Sequence, residues 1–347
     1  MPHNARAMTP PDRYARQRLF APFGGGGQAK LAAARVTLIG CGALGTHLAQ
    51  HLVRAGVGRL RICDRDFVEL NNLQRQVLFD EDDVRRNLPK AAAAAAKLAR
   101  VNGEVSVEPR IVDVNPSNVE ALIADADLVL DGTDNFETRF LLNDACLKLK
   151  KPWVYGGCVG ADGMVLAVLP GKTPCFRCFV PDAPEPGSVA TCDTAGVLGP
   201  AVGVVASLQS AEALKLLTGH PEALADGLIT VDVWGNRQHI FRMARLDSCP
   251  ACGQGRYDFL SGTAAGAATT LCGRNAVQVT PAGEAKVDLE GLEKRLAGVG
   301  TVKRNEYLLK LDADGFEVTV FPDGRAIVKG TDDPSRARAI YAKYVGS

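Results

Sequence analysis

The sequence has 347 residues, enough for about two domains and for a hydrophobic core that folds without disulfides. Hydrophobic residues make up 46% and charged residues 23%, which excludes a disordered or fibrous chain. Forty basic residues against 39 acidic ones leave a net charge of +1, so no overall field draws the chain to nucleic acid or to an anionic membrane. The first twenty residues hold no apolar run of signal-peptide length, and Val197–Leu208, broken by Gly199, Pro200 and Gly203, is too short to span a bilayer. A cytoplasmic protein with neither nucleic acid nor membrane as partner is expected. In that setting ten cysteines point to metal ligands or reactive thiols.

In chain order, the apolar pattern predicts a strand at Arg35–Ile39, a turn at Gly40–Gly45 and a helix at Thr46–Ala55. A strand at Leu60–Cys63, an alanine-rich helix at Pro89–Val101 and a strand at Val105–Ile111 follow, the alanines reading as a face packed close to a sheet. Next come a helix at Asn118–Ala124, a strand at Asp127–Leu130 and a helix at Glu137–Leu149. Strands alternating with helices give an open, mostly parallel α/β sheet. Strands at Trp153–Cys158 and Gly163–Leu169, a long helix at Val202–Leu217, and strands at Leu228–Val233 and His239–Arg245 add antiparallel pairs after residue 150. The small, polar run 261–270 reads as a linker, and the division expected is 1–258, a linker at 259–272, and 273–347. The last part predicts strand, helix, three strands and helix at Ala276–Val279, Leu289–Leu296, Tyr307–Leu311, Phe316–Val320, Ala326–Lys329 and Ser335–Tyr344. A tight turn at Phe321–Gly324 joins two of those strands, making a small α+β domain whose 12 basic and 11 acidic residues over 263–347 say nothing of a partner.

Gly40-Cys-Gly42-Ala-Leu-Gly45 follows a strand and opens a helix, and Asp64 ends the next strand, nineteen residues after Gly45. Glycines there let backbone N–H groups and the helix N-terminus approach phosphate, and the strand-end acid accepts from ribose hydroxyls, the pattern of a Rossmann-like nucleotide site. Glycines that merely permit close helix–strand packing are the bland alternative, and which nucleotide binds is open at this point. Arg75, in Asn71-Asn-Leu-Gln-Arg-Gln76, and Lys90, after Pro89, narrow it. Transfer at a phosphate needs cations for the phosphoryl oxygens and the leaving pyrophosphate, whereas hydride transfer does not. Asp134, in Asp131-Gly-Thr-Asp134-Asn135, ends another strand on the same edge, where a carboxylate can hold Mg²⁺ or simply cap a helix. Cys175-x-x-Cys178 and Cys249-x-x-Cys252 supply four thiolates for a closed, structural Zn²⁺ site. Cys192, in a Pro- and Gly-rich stretch, is equally a thiol for covalent sulfur chemistry or a neutral loop residue. His47 and His51 lack further ligands and read as helix-face residues, and the acidic run Asp80–Asp83 as a solvated helix start.

These motifs, with Arg13-Tyr-Ala-Arg16-Gln17 and Gly203-Val-Val-Ala-Ser-Leu-Gln-Ser-Ala-Glu-Ala-Leu-Lys215, resemble in their order the ThiF/MoeB/HesA family, bacterial relatives of ubiquitin-activating enzymes, over roughly residues 12–255. The resemblance implies ATP-dependent adenylation of the C-terminal Gly-Gly carboxylate of a ubiquitin-like sulfur-carrier protein, with release of pyrophosphate. It places Asp64 on ribose, Asn72, Arg75 and Lys90 on the phosphates and Asp134 on Mg²⁺. It further implies a homodimer in which Arg16 reaches the neighbouring nucleotide site, a separate persulfide donor such as a cysteine desulfurase, and, in some members, covalent sulfur transfer at the position of Cys192. Residues 263–347 contain only Cys272, near the linker, so a rhodanese role is not expected; protein binding or dimer support is. Competing readings keep the chemistry and change the substrate, to a modifier protein, a peptide precursor or a tRNA-attached carboxylate. Others change the class, to a nicotinamide-dependent oxidoreductase or a non-catalytic nucleotide-binding scaffold.

Overall fold

The computed structural model describes residues 12–183, 195–261, 270–271, 275–280 and 287–345. After two helices, α1 (Ala15–Arg18) and α2 (Gly24–Ala33), the chain alternates β1 (Arg35–Ile39), α3 (Ala43–Ala55), β2 (Arg59–Cys63), α4 (Glu81–Arg85), α5 (Lys90–Val101) and β3 (Ser106–Arg110). It continues with α6 (Val119–Ile123), β4 (Leu128–Asp131), α7 (Phe136–Lys148), β5 (Trp153–Val159), β6 (Asp162–Val168), α8 (Phe176–Phe179), α9 (Gly199–Thr218), β7 (Leu228–Asp232) and β8 (Arg237–Phe241). These strands form one eight-stranded sheet in the order β3-β2-β1-β4-β5-β6-β7-β8. β1 to β5 pair in parallel and the last three junctions are antiparallel, as the pattern change after residue 150 led one to expect.

Helices cover both faces of the parallel part, which is why Leu128–Asp131 is buried at every position rather than at alternate ones. One face packs Leu38, Leu60 and Leu130 under α3, α5 and α9; there Ala91 and Ala94, fully buried, let α5 approach the strands closely. The other face packs Ile39, Val129 and Trp153 under α6, α7 and α8.

A second, six-stranded sheet is built from β9 (Thr270–Leu271), β10 (Ala276–Val279), β11 (Thr301–Arg304), β12 (Leu309–Ala313), β13 (Phe316–Val320) and β14 (Ala326–Lys329), in the order β11-β12-β13-β14-β10-β9. Helices α10 (Leu289–Leu296) and α11 (Pro334–Tyr344) bury Leu292, Leu296, Ile340 and Tyr344 against one face of it. The pattern of strand, helix, three strands and helix needs correction by β9 and β11. β11 pairs with β12, and the expected strand at Tyr307 begins only at Leu309 because the Asn305 side chain accepts from the Tyr307 and Leu308 N–H groups and closes a turn there. The strand expected at 239–245 lies at 237–241, because Asp232 accepts from Gly235 N–H at 2.7 Å and Asn236 takes φ +53° in a tight hairpin.

Helix α2 carries no amphipathic signal and four consecutive glycines, which favour the open chain. Tertiary contacts hold it instead: Leu31 is fully buried, and Gln28 donates to the Ala55 carbonyl at 3.1 Å.

The two cysteine pairs meet. Sγ of Cys175 lies 3.6 Å from that of Cys249, and Sγ of Cys178 lies 3.4 Å from that of Cys252, with all four within 4.8 Å of one another. Four thiolates about 2.3 Å from one Zn²⁺ would stand roughly 3.8 Å apart, so the donor set fits a tetrahedral ion with no position left for substrate. Beyond this hook the chain returns to the core: the Phe259 ring stacks on Phe140 at 4.4 Å, and Phe259 N–H donates to Asp144 Oδ2 at 3.0 Å.

An ion held by these four thiols would act as a long-range staple. A strong chelator or Cys252→Ser is expected to release stoichiometric zinc and lower the unfolding midpoint by more than about 10 °C, measured by elemental analysis and calorimetry. Asp144 supplies a second expectation. Burial pushes its carboxyl up to about 6, the Phe259 N–H bond and Arg177 opposing. The native carboxyl thus holds its proton more tightly than the open chain does, and stability falls as pH climbs from about 4 to about 6. Asp144→Asn should raise the unfolding midpoint by about 2–4 °C at pH 7.5, and by less at pH 5.

Candidate nucleotide site

The site grows from a contact only glycines allow. At the carboxyl end of β1 the chain turns through Gly40 at φ +87°, where a Cβ would lie 2.6 Å from the Gly132 carbonyl oxygen at the end of β4. A Cβ on Gly45, in the first turn of α3, would run into the Gly40 carbonyl oxygen. Backbone therefore packs on backbone, Gly132 N–H donates to Ile39 O at 2.7 Å, and the amino end of α3 is drawn down to the carboxyl edge of the sheet. Gly42 is the N-cap of α3 and has no capping side chain, so the helix presents bare N–H groups there, a cradle for phosphate.

Asp64, just past β2, is 9% exposed and faces that turn. Its Oδ2 accepts from Cys41 N–H at 2.6 Å and its Oδ1 from Asp66 N–H at 2.7 Å. Burial pushes the carboxyl above its ordinary range, and the Lys90 charge and the two N–H bonds pull it back. Lys90 opens α5 and is buried; its Nζ lies 3.1 Å from Asp66 Oδ2, and its N–H donates to the Asp66 carbonyl at 2.9 Å. Burial also pushes the Cys41 thiol far up, so the cysteine of the loop is no nucleophile.

The loop after β2 carries Asn72 and Arg75. Arg75 Nη1 donates to the Asn71 carbonyl at 2.9 Å, its side chain partly exposed. Asn72 and Gln76 are both 3% exposed, and each leaves its amide oxygen without a partner among the described residues. Gln76 Nε2 lies 3.9 Å from where a Cβ on Gly42 would sit. A buried amide with unused hydrogen-bonding capacity, beside an open helix end, suits a polar ligand.

At the end of β4, Asp131 is fully buried, accepts from Thr133 at 2.6 Å and lies 3.3 Å from Arg139 Nε. Burial raises its carboxyl and Arg139 opposes the rise. Asp134 is exposed and contributes to the field on Arg139. The helix cap that would have explained Asp134 away falls to its neighbour: Asn135 Oδ1 accepts from Thr138 N–H at 2.8 Å.

Gly40, Gly42, Gly45, Asp64, Asn72, Arg75, Lys90 and Asp134 thus all lie along the carboxyl edge of β1, β2 and β4, where open α/β sheets bind ligands. Arg16 does not join them. It is exposed on α1, which is tied to the opposite edge: Gln17 Nε2 donates to Ala55 O at 2.8 Å and Arg13 Nη1 to Val101 O at 2.8 Å, at the far ends of α3 and α5. The thirteen residues of α3 put about 20 Å between the two edges. Cys192 lies outside the described residues.

Three residues the motifs left without a role take part. Asp66 is the partner of Lys90. Arg139 donates to Thr133 O at 2.8 Å and holds the loop bearing Asp134 from beneath; its one signal in the sequence is a cation at the head of the apolar run Phe140-Leu-Leu142. Gln209 reaches from α9 to donate to Asp131 O at 2.9 Å and Val154 O at 3.2 Å, tying β4 to β5; it lies in the Gly203–Lys215 run, which carried no role for it. His47 and His51 are partly buried, with His51 Nδ1 3.0 Å from Ser210 Oγ on α9, a helix–helix contact.

The profile of the ThiF family matches residues 14–251. The sulfur carrier protein ThiS adenylyltransferase of Bacillus subtilis is 47% identical over 337 residues, 96% of this chain and 99% of that one. The SAMP-activating enzyme E1 of Haloferax volcanii is 42% identical over 71% of this chain and 90% of its own. Among solved structures, E. coli MccB with ATP superposes with a TM-score of 0.61 at 26% identity, covering 70% of this chain and 75% of that one. With that profile matched over most of its length and a relative 47% identical across nearly all of it, the chain belongs to the ThiF family.

Proposed function

We propose that this protein adenylates the C-terminal Gly-Gly carboxylate of a ubiquitin-like sulfur-carrier protein, using ATP and releasing pyrophosphate ahead of thiocarboxylate formation. It is an adenylyltransferase acting on a sulfur carrier, as are its near full-length and partial relatives by name. The observation that carries the reading is Lys90: a buried ammonium, balanced by Asp66, at the mouth of a glycine cradle. Hydride transfer has no use for such a cation, whereas a reaction at phosphate does.

In the reaction a carboxylate oxygen bonds to the α-phosphorus while the bond to the bridging oxygen breaks and leaves with pyrophosphate. The carboxylate is already ionised at neutral pH, so no side chain has to take a proton and positioning of two anions is the whole task. The α3 amino end and its glycines receive the phosphates, Asp64 accepts from the ribose hydroxyls, and Asn72, Arg75 and Lys90 bind and neutralise phosphate oxygens. Asp134 would be the carboxylate that holds Mg²⁺, which would supply positive charge against the phosphates. Four cysteines, Cys175, Cys178, Cys249 and Cys252, hold structural zinc.

Arg16 serves a second copy. Its place on the edge away from its own cradle supports a homodimer in which each protomer lends this arginine to the other, and exposed Leu19 and Phe20 beside it offer apolar surface for the contact. A separate persulfide donor would supply sulfur to the acyl-adenylate, with Cys192 available for a covalent step. The adenylation domain expected at 1–258 takes in Phe259, which packs on Phe140, and the unit expected at 273–347 takes in β9, so the join lies inside 259–272. No described helix is long and apolar enough to cross a membrane, in keeping with a cytoplasmic site of action. The likeness to MccB, solved with MccA, keeps a peptide substrate as the second reading.

The test is ATP–pyrophosphate exchange dependent on a Gly-Gly-ended carrier, with AMP added to that carrier by mass spectrometry; exchange driven by a short peptide but by no carrier would favour the second reading. Lys90→Ala and Arg75→Ala should each lower kcat/KM by about 10²–10³. A purified mixed dimer of Arg16→Ala and Lys90→Ala protomers should regain about half the wild-type rate, since one of its two sites is intact; no recovery would mean Arg16 works within its own chain.

A further inference from the structure

The second sheet has two faces, and only one is filled by its own helices. Val277, Val318 and Val328 point to α10 and α11, whereas Gln278, Ile327 and Lys329, at the alternate positions, turn toward loops of the first sheet. Phe67 is the seat of this contact. It is 6% exposed and packs with Ile327 and Phe321, with Lys310 Nζ 3.9 Å and Lys329 Nζ 5.2 Å from its ring centre. Such cations over an aromatic face, out of water, are an attractive contact. Lys329 also donates to Glu69 Oε1 at 2.9 Å and pairs with Glu317 at 3.2 Å. The charges brought into this interface are therefore matched.

Where these contacts land is the informative point. Phe67 and Glu69 follow directly on Asp66. Asn305 Nδ2 donates to Arg86 O at 3.1 Å and Asn87 O at 2.9 Å, just ahead of Lys90. Arg325 Nη2 donates to Ile111 O at 3.3 Å, and Gln278 Nε2 to Asp113 Oδ2 at 2.5 Å, in the segment whose backbone pairs with Asp64 on both sides. The Phe67 backbone bridges to Pro89. The segment that carries Asp64 and Asp66 is gripped within three residues of Asp66, the one that leads into α5 within four residues of Lys90, and the strand end that pairs with Asp64 is held as well. Loops at a sheet edge move readily unless something ties them, and a phosphate site is sensitive to displacements of about 1 Å.

We infer that the C-terminal α+β unit is a positioning element of the nucleotide site, with Asn305 and Lys329 as positioning residues that fix the Asp66–Lys90 pair for ATP. The inference rests on the ATP reading above and adds to it a role for a unit distant in sequence from every nucleotide motif.

The full chain is compared with Asn305→Ala, Lys329→Gln and the charge-keeping Lys329→Arg. Binding of a non-hydrolysable ATP analogue is measured by calorimetry without carrier, and exchange is measured against ATP concentration. Asn305→Ala and Lys329→Gln should each weaken analogue binding and raise the KM for ATP about three- to tenfold, while kcat and the KM for carrier change by less than about twofold. Lys329→Arg, which keeps a cation for Glu69, Glu317 and the Phe67 ring, should stay within about twofold of the wild-type affinity. A purely structural role would lower the unfolding midpoint and leave analogue affinity at the wild-type value, and that result overturns the inference. Wild-type protein that binds the analogue yet shows no carrier-dependent exchange would remove the adenylation reading while the binding data still decide the positioning role.

Discussion

Everything at the functional edge depends on three chain segments meeting with no side chain between them. Gly40, Gly45 and Gly132 bring the ends of β1 and β4 against the first turn of α3, at distances that a single methyl group would break. The closeness has an electrostatic result. A helix end with N–H groups and no capping side chain is left facing the crevice, and its unmet donors are stabilised only when an anion arrives. Glycines thus build the site by what they lack.

Charge is placed around that crevice so that burial is always partly offset. Asp64 accepts two backbone N–H bonds, Lys90 has Asp66, and Asp131 has Thr133 and Arg139. An isolated ion in these positions would cost several kcal/mol, and would titrate away rather than stay charged. With partners in place these groups are fixed before substrate binds, which lowers the reorganisation that the reaction has to bring about. The cysteine hook and the second sheet act farther out. The hook joins the crossover after β6 to the segment after β8, and the second sheet holds the loops that follow β2 and β3.

What was legible in the sequence is what local chemistry dictates. The glycine turn was visible because it sits between a strand pattern and a helix pattern, and the cysteine pairs because thiolate ligands need that spacing. The parallel-to-antiparallel change showed in the shortening distance between strands. What could not be read rests on long-range contacts. Helix α2 opens on four glycines and forms only against Ala55 and α9. Gln209 looks like any polar residue on a long helix until α9 lies across the ends of β4 and β5. Lys310, Lys329 and Glu317 read as polar positions of a solvated face, and the aromatic ring that the two lysines cover is more than 240 residues away in the chain. Asp66 lies two residues after Asp64, yet its role appears only when α5 brings Lys90 back to it.

The central claim is that this glycine-cleared edge, with Asp64 and Lys90 beside it, is an ATP site. A crystal structure with a non-hydrolysable ATP analogue and Mg²⁺ tests it most directly. The account requires phosphate oxygens on the N–H groups of the Gly40–Gly45 turn and on Lys90, with the ribose hydroxyls on Asp64. Arg75 and Lys90 turned away from the phosphates, or nucleotide bound elsewhere on the chain, would contradict it.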